Sequence, residues 1–226
     1  MSIRTALLLH GAGGGGWEWN VWREVFAAGH IDAHAPDLQP SLAGLAATSF
    51  ADYTAQVRAA LSDLSRPRAV VGASMGGLLA LQVASEADAL VLVNPLPPRP
   101  WHARLPLQEW PGVVRWHGDA RLASTRAALP DADPVTAMYA FRHWRDESGR
   151  VLREAHAGID TDTPLVPTLC VISGQDRDVP AEMTEAFMDQ LAATRIGLPE
   201  ASHVGPLLGR QASAVAAQVV AWLSAR

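Results

Sequence analysis

The run Val70–Gly77 reads VVGASMGG, one hydroxyl set among glycines at the end of an apolar stretch. Gly72-Ala73-Ser74-Met75-Gly76 fits G-x-S-x-G, the spacing of a serine on a sharp strand-to-helix turn that exposes its oxygen. A turn that needed only flexibility would have no use for the serine, so the pattern nominates Ser74 as a nucleophile. The Met75 amide, at the amino end of the helix that follows, faces a developing oxyanion with a favourable dipole. A serine hydroxyl at its ordinary pKa is inert and needs a base. LPEASHVGP supplies His203, with Ser202 and Gly205 beside it favouring a loop. An acid must then orient the imidazole, and VISGQDRDVP offers Asp176 and Asp178. Asp176 lies immediately past the apolar run and is favoured. Asp178 precedes Val179-Pro180 and could cap the next helix instead, although the two are close enough for either to face His203.

These residues need a frame that brings three distant loops together. Apolar, β-rich runs (TALLLH, HIDAHAPDL, RAVVGAS, ALVLVNPL, TLCVISGQD and a weaker ATRIGLPE) alternate with helical patterns. FADYTAQVRAALSDL places Phe50, Tyr53, Val57, Ala60, Leu61 and Leu64 on one helical face. MGGLLALQVASEA starts a helix directly after Ser74, and AEMTEAFMDQLAA, with Pro180 at its start, and SAVAAQVVAWLSA supply two more. Strands of near-continuous hydrophobicity alternating with helices predict an α/β fold, a mostly parallel sheet covered on both faces. The segment from about 97 to 163 breaks this rhythm. It carries Trp101, Trp110, Trp116 and Trp144 with four histidines and half of the arginines, and reads as loops and short helices with no clear strand. Inserted between two sheet strands, it is expected over their C-terminal ends, where ligands bind in such folds.

The loop after the first strand, His10-Gly11-Ala12-Gly13-Gly14-Gly15-Gly16, completes a pattern that resembles the α/β-hydrolase superfamily. LLLHGAGGGGWEW is similar to its His-Gly oxyanion loop, GASMGG to its nucleophile elbow, GQDRDVP to its acid turn and ASHVGP to its histidine loop, in the family's order Ser, Asp, His. The resemblance implies a single doubly wound domain over 1–226, with a core of 1–96 and 164–226 and a small, mainly helical lid at about 97–163 before the acid-bearing strand. It implies a triad of Ser74, Asp176 and His203, with the Ala12 amide as a second oxyanion donor beside Met75. His10 would brace the loop. Two departures touch only the scaffold: the early antiparallel strands of many members have no counterpart ahead of TALLLH, and APDLQPSLAGLA lacks the usual glycine turn. Members that attack halides or epoxides carry aspartate at the elbow. Ser74 therefore points to acyl transfer: a carboxylic ester, or alternatively a thioester or an activated C–C bond.

Composition narrows the partners. The chain has 226 residues, is 49% hydrophobic and 18% charged, and carries a net charge of −5, which argues against nucleic acid and anionic membranes. No apolar run reaches the roughly 20 residues of a membrane span, and no signal-peptide core is evident, so a cytoplasmic location is expected. The chain has no lysine, which excludes a lysine Schiff base, a Ser-Lys dyad and a P-loop lysine. Cys170 is the single cysteine and reads as a buried thiol. No H-x-x-x-H or H-E-x-x-H spacing suggests a metal, and no cofactor is expected. One rival reading uses Gly11-x-Gly13-x-x-Gly16 as a dinucleotide fingerprint with Asp32 or Asp37 on the ribose. It leaves Ser74, Asp176 and His203 unexplained, and bulky Trp17, Trp19 and Trp22 follow where a helix should pack tightly. The expected partner is a small, largely apolar acyl substrate. Trp101 and Trp144 are the candidates to contact it, although the plainer reading has Trp101, Trp110, Trp116 and Trp144 form a small core of the segment's own. Oligomeric state is not readable.

Overall fold

The computed structural model describes residues 2–226. Strand β1 (Thr5–Leu9) is followed by a glycine loop, helix α1 (Asn20–Ala28) and the short strand β2 (Asp32–His34). Helix α2 (Phe50–Ser62) leads to β3 (Arg68–Ala73), which turns directly into α3 (Met75–Gln82) and then β4 (Ala89–Val93). After the inserted segment come β7 (Thr168–Ser173), α7 (Ala181–Leu191), β8 (Thr194–Leu198), the single-turn α8 (Gly205–Leu208) and α9 (Ala212–Ser224). The segment itself holds β5 (Val113–Val114), α4 (Leu122–Ala128), α5 (Pro134–His143), β6 (Glu147–Ser148) and α6 (Gly149–Ala157). No helix among the described residues is long and apolar enough to cross a membrane.

The main sheet has six parallel strands in the order β2-β1-β3-β4-β7-β8. Its strands read as continuous apolar runs because both faces are covered. Leu7 and Leu9 enter one core with Phe50, Tyr53 and Val57 of α2 and Phe187 of α7. Ala6 and Leu8 enter the other, with Trp22 and Phe26 of α1 and Val215 and Val219 of α9. The chain runs from β1 to β2 in one direction and from β3 to β4 in the other. Loops leaving the C-terminal ends of β1 and β3 therefore diverge and open a crevice at the switch point between them. The glycine loop leaves β1 there, and Ser74 leaves β3.

Two expectations differ from the structure. The inserted segment is not free of strands: Val113 and Val114 pair antiparallel with Ser148 and Glu147. Two residues per strand leave no alternation to read, and the pairing joins positions too distant in sequence for local patterning to reveal. Asp178 does not cap α7, whose N-cap is Pro180 without a side-chain bond. Instead, Oδ1 of Asp176 accepts the amides of Asp178 and Val179, both at 2.8 Å. Helix α1 lay outside the sequence reading altogether. Its Trp22 is fully buried, as is Trp19 just ahead of it, so the tryptophans after the glycines are core residues under the sheet.

Candidate active site

Ser74 links β3 to α3 with φ 51° and ψ −120°, a backbone conformation that costs a side-chain-bearing residue about 1–3 kcal/mol. The surrounding structure imposes it. The Ser74 amide donates to Val93 O at 3.0 Å, and Ser74 O accepts from Gly77 and Leu96 at 2.9 Å. Gly76 is required by close approach, since a Cβ there would stand 2.3 Å from Leu9 O and 2.6 Å from His10 O. The elbow thus rests on the end of β1. Gly11 in turn lies against Ser74, where an added Cβ would be 3.2 Å from the serine Cβ.

The other loops converge on the same crevice. His203 Nδ1 and Asp176 Oδ2 are 2.6 Å apart, and the Asp176 side chain is only 1% exposed. Of the two aspartates, Asp176 is the one that meets the imidazole. Asp178 stands nearby, exposed, and completes with them the one group of three metal-type ligands among the described residues. His203 Nδ1 is already committed to Asp176, so that group is occupied by its own hydrogen bond. Burial lowers the His203 pKa, but the hydrogen bond and charge of Asp176, with the charge of Asp178, outweigh it and leave the pKa raised. Asn94, at the end of β4, donates to His203 O at 2.6 Å and exchanges bonds with Ser173, tying the histidine loop to the sheet. Ala12 lies in the loop beside Gly11, and Met75 opens α3. Among the described residues neither amide has a hydrogen-bond partner within the chain. Two free amides flanking a serine are what an oxyanion would need.

His10 is buried and braces the loop. The Leu38 amide donates to its Nε2 at 2.9 Å, so Nδ1 carries the proton and donates to Gly11 O at 2.8 Å. Burial pushes its pKa down to about 4 from 6.5. At His10 the unfolded chain therefore takes up a proton between these values that the folded protein refuses, so the contribution of this ring to stability falls as pH drops through that window. The penalty approaches about 3 kcal/mol at the acid end. Thermal melts of wild type and His10→Gln side by side from pH 4 to 6.5 should show it as a difference: the stability His10→Gln gives up is greatest near neutral pH and shrinks as the pH falls.

A cavity of about 600 Å³ opens over these groups, lined by Gly11, Ala12, Ser74 and His203 on the sheet side. The inserted segment contributes Trp110, Trp116 and Trp144 to its walls. Trp144 stands where a substrate-contacting residue was expected, and it also donates to Thr125 Oγ1 at 3.1 Å. Trp101 does not line the cavity. It packs against Phe187 of α7 and donates to Gln190, because its short helix folds back over α7. Trp110 and Trp116 take its place.

The segment also grips the glycine loop and the histidine loop through residues that sequence reasoning missed. The Gly13 amide donates to Glu147 Oε2 at 3.1 Å, and the Arg145 amide donates to Gly13 O at 2.8 Å. Glu147 is buried and further held by Tyr53 Oη at 2.8 Å and the Ser148 amide at 2.7 Å. Asp131 accepts from the Ser202 hydroxyl at 2.6 Å and its amide at 3.0 Å, next to His203. Each is a single acid in a polar stretch, and no local signal separates it from a solvated charge.

The model of the alpha/beta hydrolase family matches residues 6–218. The chain belongs to the alpha/beta hydrolase family. As an alpha/beta hydrolase it shares its fold with solved structures of low sequence identity. It is similar to polyneuridine aldehyde esterase, at 15% identity and a TM-score of 0.75 over 96% of this chain and 99% of that one. A pyrethroid hydrolase from Sphingobium faniae gives 18% identity and a TM-score of 0.75 over 99% and 98%. Tomato methylketone synthase I, solved with 2-tridecanone, gives 13% and 0.76 over 98% of each chain. No curated protein matches by sequence. The glycine run of this alpha/beta hydrolase is filled by its own side chains. Asp37, the ribose ligand of the dinucleotide reading, accepts the Gly16 amide at 2.7 Å, and Glu18 packs its carboxyl on Gly14.

Proposed function

We propose that the protein hydrolyses carboxylic esters of small, largely apolar acyl compounds through an acyl-enzyme on Ser74. The observation that carries this reading is the 2.6 Å contact between His203 Nδ1 and Asp176 Oδ2 at the cavity that Ser74 lines. Asp176 keeps the Nδ1 proton in place, which leaves Nε2 free to accept the proton of the serine hydroxyl. Ser74 Oγ then attacks the ester carbonyl, and the amides of Ala12 and Met75 stabilise the oxyanion. His203 returns the proton to the departing alcohol, and water repeats the sequence on the acyl-enzyme. Residues 1–96 and 164–226 act as the catalytic core, with 97–163 as the lid that shapes the pocket. The three cavity tryptophans support an apolar substrate, and the 2-tridecanone seen with tomato methylketone synthase I is an apolar ligand in the same fold.

A panel of p-nitrophenyl esters of graded chain length, run beside matching acyl thioesters, tests the substrate class. Esters should be turned over; a preference for thioesters would move the assignment to the alternative. The pH profile tests the base. His203 must be neutral to accept the proton, and its raised pKa places the rising limb of kcat/KM above the ordinary histidine value of 6.5. A limb centred on a carboxylate pKa would contradict the role given to His203.

A further inference from the structure

Glu18 is an acid that the mechanism above does not use. It sits two residues past the glycine loop, is 3% exposed, and lines the same cavity as Ser74, His203, Gly11 and Ala12. Its carboxyl lies flat on the loop: a Cβ on Gly14 would be 1.9 Å from Oε2 and 2.5 Å from Cδ. Oε2 is buried with no hydrogen-bond partner, and Glu18 makes no ion pair among the described residues. A carboxylate in that setting would place a buried negative charge with no ion-pair partner in the cavity where amides must stabilise a second one. Like charges in a water-poor site repel strongly, and the oxyanion would bear the cost.

We propose that Glu18 is a functional component of the oxyanion site that works as a neutral carboxylic acid, so that its ionisation switches turnover off at alkaline pH. The surroundings hold it in that state. Burial raises its pKa to about 8 from 4.5, against the opposing pull of the Gly15 and Gly11 amides and of His203. His203 faces it from the histidine loop, and Arg177 and Asp178 stand on the cavity wall after β7. The inserted segment adds Arg115, Asp119, Arg121 and His156 to the cavity, while Glu147 and Asp37 hold loop amides from outside. Burial lowers the His156 pKa, which keeps that ring neutral in this range. Losing the Glu18 proton also changes what His203 feels, since a new negative charge nearby holds the imidazolium and slows return of its proton.

The inference rests on the acyl-enzyme reading of Ser74, and two readouts separate their failures. The first is the rate at which a fluorophosphonate labels Ser74, followed with kcat/KM on one neutral ester from about pH 6 to 10. Wild type should fall about tenfold per pH unit above about pH 8, and the Glu18→Gln profile, scaled to its own rate at neutral pH, should stay flat there. A wild type without the limb, or a Glu18→Gln limb that is unchanged, overturns the proposal. The second readout is stability and needs no activity. Below pH 4.5 both states of wild type carry the Glu18 proton; between 4.5 and about 8 only the folded state keeps it, so the contribution of this group to stability falls as pH rises. Glu18→Gln should therefore gain on wild type through that window. Equal pH slopes overturn the proposal, and so does failure of Glu18→Gln to fold, because a residue that is neutral in the native state tolerates its neutral isostere. Absence of Ser74 labelling at every pH would instead fault the acyl-enzyme reading, with the stability comparison still deciding for Glu18.

Discussion

Ser74→Ala should lower kcat on a p-nitrophenyl ester by about a millionfold and leave the fold intact. The size follows from the roles assigned: without the hydroxyl there is no acyl-enzyme, and the histidine and its acid have no proton to take. Residual turnover would come from binding and the oxyanion amides alone. The fold should survive because the elbow is held by backbone bonds, from the Ser74 amide to Val93 and from Gly77 and Leu96 to its carbonyl. The φ of 51° is imposed equally on alanine, so the strain is unchanged. Circular dichroism and a melting curve beside the kinetic assay check both halves. Esterase activity that is undiminished in a folded Ser74→Ala protein would move the nucleophile elsewhere.

Asp176→Asn should cost about 10⁴ in kcat with little change in KM. Asp176 has two jobs, one per oxygen. Oδ1 accepts the amides of Asp178 and Val179, and Oδ2 faces His203 Nδ1. In the asparagine variant the amide oxygen is needed by the two backbone donors, which turns the NH₂ group toward Nδ1. The ring must then accept at Nδ1 and carry its proton on Nε2, the tautomer that cannot take the serine proton. The same choice preserves the turn, so the melting temperature should stay near that of wild type. Asp178→Asn is the control. Asp178 is exposed and makes no side-chain bond to the ring, so its loss should leave turnover close to wild type and lower the rising limb of kcat/KM slightly, through its charge on His203. A dead Asp178→Asn beside an active Asp176→Asn would shift the acid by two positions.

What could be read from the sequence was what chemistry and periodicity confine to short stretches. The strands are continuous apolar runs because both sheet faces are buried, and Ser74 is marked by glycines that permit the approach to Leu9 and His10. The choice of Asp176 over Asp178 rested only on its place directly after the strand, and it is Asp176 that reaches His203. Trp101 misled because aromatic content does not say which way a short helix folds. Trp19 and Trp22 look too bulky for a tightly packed helix, yet they are the filling of a core under α9. Glu147 and Asp131 act across 134 and 71 residues, on Gly13 and Ser202, and only the fold brings those positions together. Glu18 is the sharpest case. An acid between two tryptophans gives no sign that its carboxyl will lie on Gly14, in the cavity that Ser74 lines.

The central claim is that Ser74 carries the acyl group. Incubation with a fluorophosphonate followed by peptide mass spectrometry tests it directly. The account predicts a single phosphonylated site, at Ser74, formed at a rate that drops sharply in Asp176→Asn and His203→Ala. An adduct on another serine, or a Ser74 left unmodified while ester hydrolysis proceeds, would contradict it.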